Sequence, residues 1–550
     1  MRLYILLSLF TLYFSNHGYA QANNCVADNG IINDLHKANI GKITFMEKPI
    51  PMESYKRSDF LTSFTLKDSC DFNIRVFLSV SLTNSLHLLA PELTADELTK
   101  KGNYQFSFYV DKKPIYKENL NIRAGTADGK NKMTALRIPL VSTTNEDSWG
   151  RFLWNRFMMT GGEDALTEGI HILRIEIRPY LKINEIKTGD LIAQGQLKLI
   201  ITKPKASAKQ IAVQAIQPNS GWQVSLEQYD IAKIKGLNKA IAQNTFKEIT
   251  SIVVIKGGKL LIEEYFNGAK RSSLHDTRSV GKSFTSTLMG IAIKEGYIKS
   301  ENQPLKDFYD LKQFATYATK KDSVTIKDLL KMSSAFNGSD ADDNSPGNEE
   351  NMYPTNDWVK FALDLPIDSS KSNGKQWDYF TAGVILLGDI LNRSVPDGLE
   401  KYADKKLFQP LGIKKYQWQY TPQHVANTAG GLQMSSLDYA KFGQLYKNKG
   451  LWNELQVIPK KWAEETFTKQ IDIPGRENEF YGYLFWNKTF KIKEKYYETF
   501  YCTGNGGSKI YVFKDLPLTI VVTATAYNKP YAHPQVDKII ERYILPAVLK

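Results

Sequence analysis

The chain has 550 residues, a formal net charge of +13 and three cysteines. This length suits two domains better than one, and the apolar content allows a sizeable core. The positive charge comes from scattered lysines without a basic stripe interleaved with aromatic residues, which argues against nucleic-acid binding. The chain has no CxxC and no Cys/His cluster at metal-ligand spacing, so we expect no metal and no cofactor.

The first twenty residues have the pattern of a secretory signal peptide. Arg2 supplies a positive charge, residues 3–14 are apolar but short for a membrane span, and Gly18-Tyr19-Ala20 offers small residues for cleavage. No later segment is apolar for long enough to cross a bilayer. We therefore expect residues 1–20 to be removed and the protein to be exported, periplasmic or secreted, without a transmembrane helix.

Residues 24–204 are predicted to form an all-β domain, an antiparallel sandwich of unknown function. Apolar and polar residues alternate over Cys70–Asn84, and the period of two is typical of a half-buried strand. Helical spacing is confined to Asp147–Gly162. In an exported domain Cys25 and Cys70 can form a disulfide; in the other interpretation all three cysteines are buried thiols. Further strands are predicted at 104–120, around a turn at 111–113, at 169–181 and at 190–204.

Residues 205–224, rich in Lys, Ser, Ala, Gln, Pro and Gly, are predicted to be a linker. Residues 225–550 then mix strands and helices. The apolar runs around Gly257-Gly258 predict a β-hairpin, and two more strands are expected near the C-terminus before a final helix. Strands at both ends with helices between them predict an α+β fold, an antiparallel sheet flanked by helices. Helices are predicted from about Gly281, near residue 326, after residue 380 and over 435–450.

Ser279 and Lys282 are the first candidate catalytic residues. Residues i and i+3 lie on one face of a helix, so the lysine can sit beside the hydroxyl and accept its proton. The apolar positions that follow Ser279 predict a helix that would hold the pair rigidly. A second Ser-x-x-Lys, Ser372 to Lys375, lies in a polar stretch without a following helix. Spacing alone leaves open that Ser279 only begins a helix.

The segments "HDTRSVGKSFTSTLMGIAIKEGYI" and "TIKDLLKMSSAF" resemble the serine β-lactamase and penicillin-binding-protein superfamily. The closest likeness is to its class C-like hydrolases: esterases, D-aminopeptidases and 6-aminohexanoate-dimer hydrolases. The likeness continues in order through "GKQWDYFTAGVILLGDIL" and "YCTGNGGSKIYVF", and covers roughly residue 225 to the C-terminus. It implies a β-lactamase-like fold and a serine nucleophile.

The resemblance also implies a Tyr-x-Asn motif before an apolar helix. Tyr379 matches the tyrosine, which would act as general base for Ser279 and then as acid for the leaving group. Position 381 is Thr instead of Asn, and its hydroxyl could replace part of the amide's role in binding substrate. A literal Tyr-x-Asn begins at Tyr446, within a predicted helix, and we interpret it as a chance match.

A third motif, Lys-Thr-Gly or His-x-Gly on a strand that lines the site, is matched best by Asn505-Gly506-Gly507. These residues are expected to contact substrate, although a tight turn is the alternative. The resemblance implies that the backbone N–H groups of Ser279 and Ser508 form the oxyanion hole. A literal Lys-Thr-Gly at 187–189 lies in the wrong domain. Where relatives carry a cation at the position of Asn505, it attracts a substrate carboxylate; a neutral Asn favours an ester or amide substrate without one.

Other features are interpreted as structural. The acidic segment Ser339–Glu350 lacks the spacing of a Ca²⁺ loop and is expected to be solvated. His275 is expected to be a local hydrogen-bonding residue and Cys502 a buried thiol. The sequence thus predicts a serine hydrolase for a small-molecule or peptide ester or amide. The alternatives are a peptidase for D-amino acids or peptidoglycan, a β-lactamase, and a non-catalytic binding or sensor protein of the same fold.

Overall fold

The computed structural model describes residues 24–67, 70–143, 149–342 and 344–549, so the predicted signal peptide lies outside the described residues. The described chain forms two compact units, one ending at Lys203 and the other beginning at Pro204. None of the helices within these ranges combines the length and the apolar character that a membrane span requires.

The N-terminal unit is rich in β-structure. Its strands are β1 Ile43–Met46, β2 Ser63–Leu66, β3 Phe72–Phe77, β4 Gly102–Val110, β5 Lys113–Asn119, β6 Ala135–Val141, β7 Gly169–Lys182, β8 Ile186–Thr188 and β9 Ala193–Ile201. They form one sheet in the order β1-β3-β6 and another in the order β2-β9-β7-β4-β5, with β8 paired to β7. The predicted hairpin around residues 111–113 is confirmed, since β4 and β5 pair antiparallel.

The expectation of an all-β, antiparallel N-terminal unit is wrong in two respects. Strands β2 and β9 pair in parallel, and the unit contains helices. Strand β3 is buried throughout instead of half-buried, and the chain turns helical after Ser81, whose hydroxyl accepts a bond from the N–H of Asn84. Capping by serine outweighs the alternating pattern there. The helices are α1 Asp34–Lys37, α2 Leu82–His87, α3 Ala95–Lys101, α4 Ala127–Lys132, α5 Trp149–Phe157 and α6 Glu163–Ala165.

The cysteines of the described structure are free. Cys25 and Cys70 are both partly buried. The Cys25 thiol lies 3.6 Å from Oδ1 of Asn84, and the Cys70 thiol lies 3.4 Å from the Lys67 carbonyl oxygen. Cys502 is fully buried, as expected, and burial raises the pKa of its thiol to about 12.

The C-terminal unit has a mixed α/β fold. Its helices are α7 Ala208–Ile211, α8 Ile231–Ala242, α9 Gly281–Lys294, α10 Ile326–Leu330, α11 Glu349–Met352, α12 Trp358–Asp364, α13 Thr381–Ser394, α14 Gly398–Ala403, α15 Ser436–Lys447, α16 Lys460–Thr466, α17 Ala532–Ile539 and α18 Leu545–Val548. Its strands are β10 Ile249–Lys256, β11 Lys259–Tyr265, β12 His275–Asp276, β13 Tyr416–Trp418, β14 Leu432–Met434, β15 Leu451–Trp452, β16 Leu455–Gln456, β17 Ile471–Asp472, β18 Phe480–Tyr481, β19 Trp486–Ile492, β20 Lys495–Thr503, β21 Lys509–Phe513 and β22 Leu518–Ala524.

An eight-stranded sheet in the order β11-β10-β22-β21-β20-β19-β18-β17 forms the centre of this unit. Strand β10, from the start of the unit, pairs antiparallel with β22, from its end, as the sequence predicted. Side chains of β10 alternate between two cores: Val253 packs with α9 and α15, whereas Ile252 and Val254 pack with α8 and α17. Burial on both faces explains why residues 252–255 of β10 form a continuous apolar run and do not alternate with polar residues.

Candidate active site

Ser279 lies in a 3-10 turn, residues Arg278–Val280, directly before helix α9. Lys282, in the first turn of α9, is only 2% exposed. Its Nζ donates a hydrogen bond of 2.8 Å to Oγ of Ser279 and one of 3.0 Å to the carbonyl oxygen of Ala429. The predicted pair is therefore in direct contact, and Ala429 holds the ammonium from a distant part of the chain.

Tyr379 lies two residues before α13 and is brought to the same place. The Nζ of Lys282 is 5.2 Å from the centroid of the Tyr379 ring. The ring stacks on Trp486 of β19 with centroids 5.7 Å apart, and Trp377 lies against both aromatic rings. This aromatic packing fixes the plane of the Tyr379 ring beside the lysine.

Thr381 begins helix α13 and is buried, and its backbone N–H donates to Oδ2 of Asp340 over 2.8 Å. Asp340 belongs to the acidic segment that was expected to be solvated. That expectation is wrong for this residue: its side chain is partly buried, and burial raises the pKa of its carboxyl. Nothing in the local pattern distinguishes Asp340 from its acidic neighbours.

Within the described ranges, no three His, Cys, Asp or Glu side chains come together as metal ligands.

Gly504, which the sequence reasoning missed, makes the closest approach of the glycine-rich segment to the nucleophile. A β-carbon on Gly504 would lie 2.3 Å from the carbonyl oxygen of Thr277 and 3.3 Å from the backbone nitrogen of Ser279. Only a glycine fits at this distance. The signal in the sequence is the group of three glycines at positions 504, 506 and 507, of which the motif match includes only the last two.

Ser508 stays a predicted oxyanion donor. It is buried, its carbonyl oxygen accepts from the N–H of Gly504, and its hydroxyl lies 3.3 Å from the N–H of Ala524. Those partners place Ser508 beside β22, and it is Gly504 that contacts the Ser279 turn. Gly506 and Gly507 form the turn between β20 and β21.

Asn505 is exposed and pairs with Asn528. Its amide nitrogen donates to Oδ1 of Asn528 over 2.6 Å, and its Oδ1 accepts from the Asn528 N–H. The pair is neutral, so Asn505 brings no cation. Arg278, beside the nucleophile, supplies one that sequence reasoning did not consider. Its guanidinium lies 4.8 Å from the centroid of the Tyr527 ring, and its side chain is 45% exposed.

The backbone at Arg278 is strained, because its φ of 46° lies in the left-handed region that side chains other than glycine rarely adopt. Gly430 packs directly against this backbone. A β-carbon on Gly430 would lie 2.9 Å from the backbone carbon of Arg278. Strained backbone next to a nucleophile is a recurring feature of active sites.

The remaining sequence matches lie elsewhere. Tyr446 lies within α15, as predicted, and its hydroxyl shares a hydrogen bond with Oγ1 of Thr287 in the core. Ser372 and Lys375 belong to a turn without a helix, and Lys187-Thr188 lies in the N-terminal unit. His275 shares a local hydrogen bond with Thr250, as expected, and burial lowers the pKa of its imidazole to about 4.

A family model described as Beta-lactamase matches residues 242–541. No curated protein matches the sequence. Among solved structures, the octameric penicillin-binding protein homologue from Pyrococcus abyssi is 19% identical, with a TM-score of 0.45 over 56% of this chain and 77% of that one. The penicillin binding protein from Bacillus halodurans is 16% identical, with a TM-score of 0.43 over 54% and 97%.

Proposed function

The chain belongs to the β-lactamase family, and from that premise we propose that it is a serine hydrolase that cleaves an ester or amide bond through an acyl-enzyme on Ser279. The contact of 2.8 Å between Lys282 Nζ and Ser279 Oγ carries the proposal. A serine hydroxyl becomes a nucleophile when a neighbouring base takes its proton. Lys282 and Tyr379 are the candidate groups for that proton.

In the proposed reaction, Oγ of Ser279 forms a bond to the substrate carbonyl carbon while its proton passes to the Lys282–Tyr379 pair. The tetrahedral oxyanion is stabilised by the N–H of Ser279 and a second backbone N–H, assigned to Ser508. The carbon–leaving-group bond then breaks, and the same proton goes to the leaving group. Water attacks the acyl ester, its proton returns through the pair, and Ser279 regains its hydroxyl.

The test is intact-mass analysis after incubation with a fluorophosphonate. The expected result is one adduct on the wild type and none on Ser279→Ala. Ser372→Ala is the matched control, because Ser372 has the same Ser-x-x-Lys spacing without the helix, and it should be labelled like the wild type. A folded wild-type protein without an adduct would contradict the hydrolase proposal and favour a non-catalytic binding or sensor role.

Arg278 favours a second candidate, a peptidase for D-amino acids or peptidoglycan or a β-lactamase. Its exposed guanidinium lies one residue from Ser279, although Asp276 stands 4.0 Å from it. A charged donor binds a carboxylate more strongly than a neutral amide does. Hydrolysis of D-Ala peptides, compared with short acyl esters, separates the candidates: Arg278→Gln would lower kcat/KM only for substrates that carry the carboxylate.

We also propose that residues 1–20 are a signal peptide, that the protein is periplasmic or secreted, and that residues 24–204 are a separate β-sandwich domain joined by the linker 205–224 to the hydrolase domain 225–550. The composition of the N-terminus and the two sheets of the N-terminal unit support these assignments. The mass of the mature protein from exporting cells tests whether residues 1–20 are removed. Limited proteolysis of the whole chain tests the proposed domain boundaries. An unprocessed N-terminus would contradict export by this signal.

A further inference from the structure

Asp340 joins the acidic segment to both sides of Phe380. Its N–H donates to the carbonyl oxygen of Tyr379, and its Oδ2 accepts from the N–H of Thr381, each over 2.8 Å. We propose that Asp340 is a positioning residue for Tyr379, which it holds against Lys282 by binding the backbone on both sides of residue 380. This inference rests on the proposed function, because it assigns Asp340 a role through the tyrosine of that reaction.

The start of helix α13 shows why such a residue is needed. The first N–H groups of a helix lack intrahelical acceptors and are usually capped by the preceding side chain. Here the preceding residue is Phe380, which provides no side-chain cap. The carboxylate of Asp340 takes this role from 40 residues earlier in the chain, and a negative charge at a helix N-terminus is favourable.

Both carboxylate oxygens of Asp340 are occupied. Oδ1 accepts from the N–H of Glu349 at the start of α11, while Oδ2 accepts from Thr381. The loop and helix α13 are therefore tied through one side chain. An asparagine has a single carbonyl oxygen and could keep only one of these bonds, and an alanine would keep neither.

The charge of Asp340 also acts on the site. The carboxylate interacts attractively with the ammonium of Lys282 and repulsively with the carboxylate of Glu349. In the resembling family the third residue of the Tyr-x-Asn motif is an amide, whereas this chain has Thr381. Asp340 thus brings a polar group from another segment to the position where the motif departs from its usual form.

The experiment measures the rate constant of Ser279 phosphonylation by a fluorophosphonate in the full-length protein. Phosphonylation of the Asp340→Ala variant should be about 10- to 100-fold slower than that of the wild type, because Tyr379 loses its position and small misplacements of reacting groups have large effects. Asp340→Asn keeps one acceptor and should be slowed less. Asp342→Ala is the control, because Asp342 lies in the same loop and its carboxylate accepts hydrogen bonds from the backbone N–H and the side-chain amide of Asn344; it should react like the wild type.

A double-mutant cycle with Tyr379→Phe separates positioning from general destabilisation. If Asp340 acts through Tyr379, Asp340→Ala should change the rate by less than about 2-fold in the Tyr379→Phe background. Equal slowing in both backgrounds would overturn the inference, as would wild-type rates for Asp340→Ala. Either result leaves Ser279 labelled and the proposed function intact. A wild-type protein that is not labelled would overturn the proposed function, and this inference with it.

Discussion

Gly504 lies directly against the carbonyl oxygen of Thr277: a β-carbon on Gly504 would be 2.3 Å from that oxygen. The end of strand β20 and the turn that carries Ser279 are thus in backbone contact. Because nothing larger than hydrogen fits between them, the separation of these two segments depends on the identity of one residue.

Gly504→Ala should therefore push the turn and the strand apart. We expect the overpacking to cost about 1–3 kcal/mol of stability and phosphonylation of Ser279 to fall by at least about 100-fold. The control is Gly236→Ala in helix α8, where the added β-carbon meets Tyr543 at an ordinary 3.5 Å. It should leave labelling unchanged and, as a helix-interior replacement, stabilise slightly. Wild-type labelling of Gly504→Ala would contradict the close contact.

Lys282→Met should leave the shape of the side chain and remove its charge and proton-accepting nitrogen. We expect phosphonylation to slow by about 10²- to 10⁴-fold, the range typical of a lost acid–base group. Lys331→Met is a matched control, because Lys331 is also a buried lysine but donates to the carbonyl oxygen of Gly374. Equal rates in the two variants would show that Lys282 does not activate Ser279.

Tyr379→Phe removes only a hydroxyl from the ring beside Lys282. If the phenol moves protons, turnover of an ester substrate should fall by about 10²-fold or more, with circular dichroism and Tm close to those of the wild type. Tyr446→Phe should give the opposite result. It loses the core hydrogen bond to Thr287 and with it about 1 kcal/mol of stability, but it should keep its full activity. Full turnover by Tyr379→Phe would assign the proton transfers to Lys282 alone.

His275 should make the protein less stable as the pH is lowered. Burial lowers the pKa of its imidazole to about 4, whereas an unfolded histidine titrates near about 6.5. The unfolded state therefore binds the proton first, and stability is lost as the pH falls from about 6.5 to about 4. Between pH 7 and pH 5 the wild type should lose about 2 kcal/mol more than His275→Gln.

Urea unfolding at the two pH values measures this difference. His424→Gln is the control, because His424 is exposed in the same unit and its replacement should leave the pH dependence of the wild type unchanged. If the wild type and His275→Gln lose stability in parallel as the pH falls, burial of the neutral imidazole is not the cause.

Local patterns in the sequence predicted much of the C-terminal unit. The hairpin of β10 and β11, the start of α9 and the helix α15 depend on residues that are close in sequence, so periodicity and turn residues reveal them. The contact of Ser279 with Lys282 is local too, since one helical turn joins them. In the N-terminal unit the same patterns failed where capping by Ser81 outweighed alternation.

The surroundings of Ser279 depend on contacts across long stretches of chain. Ala429 and Gly430 come from one loop, and Asp340 and Gly504 come from two others. Ala429 acts through its carbonyl oxygen, the two glycines through close approaches and Asp340 through its carboxylate, and the local sequence indicates none of these roles. The sequence determined by itself which side chains could react, because reactivity follows residue type and local spacing. Only the tertiary structure decided which backbone groups surround them, because packing of distant segments sets those distances.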